Sequence, residues 1–154
     1  MNEQGSKLFI HFLNRIYYIK SHLSERLDEV NESPLFSDFQ YTITEALSSL
    51  RLQLNEGDKL FEKLGTTASM SGFEPIFHLL ESVFTVIQSS ENTATLLSLL
   101  DYISIADVLL AETAKIAEIH GFQLAAAYAS EHNLYFNSTL QPLKALLEES
   151  TIVA

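Results

Sequence analysis

Phe9-Ile10-His11-Phe12-Leu13-Asn14-Arg15-Ile16-Tyr17-Tyr18-Ile19-Lys20-Ser21-His22-Leu23-Ser24-Glu25-Arg26-Leu27-Asp28-Glu29-Val30 decides the fold. Its apolar residues Phe9, Leu13, Ile16, Leu23, Leu27 and Val30 alternate four- and three-residue steps, the spacing that lays one face of an α-helix along a core. Lys20 stands where the next apolar residue belongs. A cation at the midpoint of a buried seam asks what it replaces, because an ion taken out of water needs compensation.

Working outward, this first helix is predicted from Ser6 to about Glu29, ended by Asn31-Glu32-Ser33-Pro34. A second stripe, Phe36, Ile43, Leu47, Leu50, Leu54, Phe61 and Leu64, has Gln40 and Gly57 at its two remaining positions, and Gly65 reads as its C-terminal cap. That predicts a helix of roughly eight turns beginning at Phe36. A small, polar loop follows, 66–72, and then a short helix over Phe73 to about Gln88 with Phe77, Leu80, Phe84 and Ile87 on one side. Neighbouring antiparallel helices do not need such an insert. A crossover between two parallel helices does. Thr93 to about Ile119 carries Leu96, Leu100, Ile103, Leu110, Ala114 and Ala117 in register around Asp107. His120-Gly121 then turns the chain back into a last helix from Phe122 to about Glu149, which Pro142 kinks or ends.

Length and composition bound the answer further. The 154 residues fit one domain spanning 1–154, and 47% hydrophobic against 19% charged residues exclude a disordered chain. No cysteine is present, which removes disulfides, thiolate zinc sites and cysteine nucleophiles. A formal charge of −11, with no run of Lys or Arg, argues against nucleic acid or an anionic membrane as partner. The first residues lack the basic and apolar stretches of a secretory signal, so the expectation is a cytoplasmic protein.

Leu8-Phe9 followed by Leu13, Ile16-Tyr17 and Leu23, then Ser33-Pro34, Gln53, Phe61-Glu62-Lys63-Leu64-Gly65, and Ala117-Glu118 ahead of Gly121 resemble the YciF-like ferritin-like proteins of bacteria. The resemblance spans about residues 6 to 149. It implies an all-α, ferritin-like four-helix bundle with a short extra helix in the crossover between the second and third long helices. It also implies a two-metal site held by inward acidic side chains, and here this chain departs. Lys20 stands where the first helix supplies a Glu, Ser48 and Ser49 where the second does, Ile103 and Ala106 where the third does, and Tyr135 and Phe136 where the fourth does.

The residues agree with that departure. A carboxylate-bridged pair of iron or manganese ions needs several hard anionic ligands, and the Glu-x-x-His spacing is absent. Lys20 has three readings: its ammonium reaches water at the bundle edge, it pairs inside with Asp107 or Glu131, or it is a catalytic amine. The histidines His11, His22, His78, His120 and His132 mostly fall on different helices and read as solvent-facing or capping, with Glu74, His78 and Glu81 at helical spacing. No serine elbow or phosphate-cradling glycine loop occurs.

The expectation is a non-catalytic bundle without cofactor that has lost its two-metal site, filled the centre with Ile103, Ala106, Tyr135 and Phe136, and acts through its surface as a homodimer in a stress-associated role. One alternative is an iron- or manganese-dependent oxidoreductase or metal store with a relocated site at Asp101, Asp107, Glu112 and Glu131. Another is a carrier of a small apolar ligand in the bundle centre, beside Tyr17-Tyr18 and Tyr135-Phe136.

Overall fold

A computed structural model describes residues 3–70, 72–89 and 92–130, and every regular element among them is helical. Helix α1 runs Glu3–Asn31, α2 Gln40–Lys63, α3 Glu74–Ser89, α4 Asn92–Ile119 and α5 Gln123–Ser130. The rest of the predicted last helix, with Glu131, His132, Tyr135 and Phe136, lies outside the described residues.

The opening stripe is buried throughout: Phe9, Leu13, Ile16, Leu23, Leu27 and Val30 all face the core, and so does Lys20. The second stripe needs correction at both ends. Pro34–Phe39 forms a 3-10 helix, and Phe36, at φ −106° and ψ 21°, leaves helical geometry, so α2 starts at Gln40. Phe36 still reaches the core, which is why its position fits the stripe although its backbone does not continue the helix. At the other end Leu64 is exposed, and Gln53 is buried instead, donating from Nε2 to Ser49 Oγ at 2.9 Å.

The two long turns close in the same way. Thr66 N donates to Phe61 O and Gly65 N to Glu62 O, both at 3.0 Å; Phe122 N donates to Ala117 O at 2.8 Å and Gly121 N to Glu118 O at 2.9 Å. These are paired bonds that satisfy the last carbonyls of α2 and α4, with Gly65 at φ 72° and Gly121 at φ 76°. Only glycine takes that conformation without a Cβ penalty.

Residue pairings set the directions. Tyr17 meets Asp58 and Asp28 meets Arg51, so α2 runs antiparallel to α1. Arg15 meets Thr113 and His22 meets Tyr102, so α4 also runs antiparallel to α1. Helices α2 and α4 are consequently parallel to each other, and α3 supplies the crossover between them. It packs against α4 and alongside α1, where His22 meets Phe77, and Tyr18 meets Phe73 just ahead of α3. Helix α1, touching α2, α3, α4 and α5, is the axis of the described fold.

Candidate functional site

Lys20 is fully buried on the core face of α1. Its Nζ donates to the Tyr128 carbonyl of α5 and lies 3.9 Å from the centroid of the Tyr128 ring. A carbonyl dipole and an aromatic face together hold an ammonium away from water. The edge-exposed reading of Lys20 is therefore corrected: α5 folds over the side chain before its ammonium can reach solvent. The approach of α5 depends on Gly57 of α2. A Cβ built there would strike the Tyr128 hydroxyl and come within 3.0 Å of Tyr17 Cδ2. Tyr17 in turn donates to Asp58 Oδ1 at 2.8 Å, and burial first, then the Asp58 hydrogen bond and charge, push its hydroxyl pKa up to about 12.

Around Lys20 the other substituted positions separate. Ile103 and Ala106 are fully buried in the core. Ser49 is buried, whereas Ser48 is exposed and faces away. Asp107 is half-buried, and desolvation holds its carboxyl above the usual range. Asp101 and Glu112 are exposed. Among the described residues no three His, Asp or Glu side chains gather as metal ligands, so Asp101, Asp107 and Glu112 do not assemble a relocated site there. Glu131, the fourth residue of that alternative, lies outside the described residues.

A second polar group, invisible in the sequence, sits about half a turn further along α1. His22 is buried between α3 and α4, with Nδ1 2.6 Å from the Tyr102 hydroxyl and Nε2 3.0 Å from Glu81 Oε1. Arg26 engages the same Glu81 carboxylate, through Nε at 3.1 Å and through Nη2. A carboxylate only accepts, so Nε2 carries the imidazole proton and Nδ1 accepts from Tyr102. Burial holds the His22 pKa below its usual value, although Glu81 pulls it the other way. Burial alone would raise the Glu81 carboxyl, but hydrogen bonds from Arg26 and His22 and the Arg26 charge overcome this and leave it lowered. Tyr102 is fully buried, and desolvation drives its hydroxyl pKa strongly upward.

Chemically, this is a strut. Both ring nitrogens of His22 are committed, and Tyr102 is neither accessible nor inclined to ionise, so the relay lacks the free acid or base that proton transfer to a substrate requires. The expectation of solvent-facing histidines is corrected at His22. Glu81, placed by spacing beside His78, instead reaches His22 and Arg26 while His78 stays exposed. Spacing along α3 alone could not find this, because the partners lie 59 and 55 residues away.

Against the outer side of His22 lies a cavity of about 100 Å³, walled by Tyr18 and Ser21 of α1, by Phe73 and Phe77, and by Met70 of the preceding loop, with exposed Glu25 at its rim. The loop is held there by Ser69 N, which donates to Asn14 Oδ1 at 2.8 Å.

The chain matches no family model, no curated protein and no solved structure.

Proposed function

We propose that this chain is a non-catalytic bundle of the ferritin-like type in which a lysine occupies the interior that a two-metal site would need, and that it works through its surface as a cytoplasmic homodimer. The observation that carries this reading is Lys20. Its ammonium is seated on the Tyr128 carbonyl and ring, and Ile103 and Ala106, apolar residues at two positions where the family has ligands, are buried in the core. With a lysine at that position, α1 offers no carboxylate there to offset the desolvation of a divalent ion. The parallel placement of α2 and α4 with a helical crossover between them is the connection that ferritin-like bundles use, and it supports the architectural half of the proposal. The His22 relay supports the non-catalytic half, since its hydrogen-bonding capacity is spent between helices.

The test is elemental analysis of untagged protein, followed by calorimetric titration with iron, manganese and zinc. The expected result is no stoichiometric uptake. Binding of about two ions per chain at micromolar affinity or better would overturn the proposal and restore a metal-dependent function.

A further inference from the structure

We propose that the cavity between α1 and α3 beside His22 binds a small methylated ammonium ion, with its aromatic walls taking the methyl groups and Glu25 taking the charge. This reading goes beyond the function proposed above and does not depend on the lost metal site.

The size is suitable. About 100 Å³ is the share of roughly three liquid waters, enough for a compact head group of about five heavy atoms. The walls are aromatic on two sides. The rings of Tyr18 and Phe73 lie 5.5 Å apart at 32°, forming one wall, while Phe77 stands at 83° to the His22 ring with centroids 5.6 Å apart, forming a corner. Aromatic corners of this kind attract soft, poorly hydrated cations through the ring quadrupole. Met70 adds a polarisable thioether to the same lining.

Charge selects the occupant. Glu25 is the one formally charged side chain in the lining, and the whole chain carries −11. Arg26 is drawn away by Glu81 and Glu29 and lies over Phe84, 5.2 Å from its centroid, so its charge is not directed into the cavity. An anion would meet the Glu25 carboxylate. A divalent metal would find one carboxylate and a histidine whose two nitrogens are already engaged by Tyr102 and Glu81, too few free donors to replace its water. A neutral apolar molecule would cover Ser21 and Glu25 without offering them a partner. A methylated ammonium satisfies both surfaces, with weakly hydrated methyls on the rings and net charge toward the carboxylate.

The experiment is NMR titration of the full chain with tetramethylammonium and choline, alongside 3,3-dimethylbutan-1-ol, which has the shape of choline without its charge. Both cations are expected to bind at millimolar dissociation constants or tighter, shifting resonances of Tyr18, Phe73 and Phe77, with the neutral alcohol about tenfold weaker. Glu25→Gln, at an exposed position, should weaken choline several-fold and leave the alcohol unchanged, whereas Glu62→Gln on α2 should change neither. Absence of binding by both cations at about 100 mM, far above the millimolar range expected for such a cage, overturns the proposal. Equal binding of choline and the alcohol also overturns it, because the cavity would then be an apolar pocket indifferent to charge.

Discussion

At the residue scale, Lys20 and Gly57 depend on each other through Tyr128. The four-carbon stem of Lys20 fills core volume and its ammonium satisfies the Tyr128 carbonyl. Lys20→Ala removes both and should cost roughly 3 kcal/mol, as large-to-small core changes do. Lys20→Met keeps the volume and relieves the buried charge while leaving the carbonyl without that donor, so its effect should stay within about 2 kcal/mol of the parent. Chemical denaturation of the two variants checks the order, and a Met variant less stable than the Ala variant would contradict this account. Gly57→Ala makes a sharper case. Helix propensity alone favours it by about 1 kcal/mol. The Tyr128 ring and Tyr17 Cδ2 stand in the way of the new methyl, and overpacking of that kind costs about 1–3 kcal/mol. A lowered unfolding midpoint is expected, partly recovered by adding Tyr128→Phe, which removes the hydroxyl that the methyl strikes.

At the scale of elements, the His22 relay ties α1 to both α3 and α4, and its ionisation sets a pH response. His22 has its folded pKa below the ordinary 6.5, so between those two values the unfolded chain binds more protons than the folded one. Stability is then expected to fall as pH drops below about 6.5. Glu81 adds a second loss at lower pH, since its folded pKa is depressed and its contribution disappears as pH falls through that value. Asp107 on α4 runs the other way, because its raised pKa makes the folded state the better proton acceptor. Arg26 and Glu25 of α1, the remaining charged neighbours of His22, act on it with opposite signs. Thermal melts from pH 7.5 to 5 should show a decline that His22→Gln flattens; an unchanged slope in that variant would assign the decline elsewhere. The element boundaries divide along similar lines. Gly65 and Gly121 end α2 and α4 where local sequence says, because the cap is made within six residues. The stripe's spacing places the start of α2 at Phe36 and the structure places it at Gln40, because a core-facing side chain can keep that spacing from a 3-10 turn.

At the scale of the molecule, helix α4 is apolar on more than one face. Ile103, Ala106 and Leu110 are buried, yet Leu97, Val108, Ile116 and Ile119 are exposed. Scattered apolar residues are ordinary, but Leu97, Val108, Ile116 and Ile119 lie along one long helix with few charges and fit the proposed homodimer. Light scattering should give twice the 17.3 kDa chain mass at high concentration, and Val108→Glu together with Ile116→Glu should return the monomer. A parent protein that stays monomeric would remove the dimer from the proposal. No helix among the described residues is long and apolar enough to cross a membrane.

By itself the sequence determined α1, α3 and α4, the buried seam of α1, the glycine caps and the parallel crossover. Each is written in spacing over a few residues or in a turn chemistry that acts locally. It also singled out Lys20 as the odd residue in that seam, because a charge is visible wherever apolar periodicity predicts none. Only the tertiary structure decided that the Lys20 ammonium rests on Tyr128, that Gly57 is the gap admitting that tyrosine, and that Glu81 belongs to His22 and Arg26 rather than to His78. Those contacts join side chains far apart in the chain. Their geometry follows from how the helices cross, and periodicity along one helix carries no record of what its neighbours present.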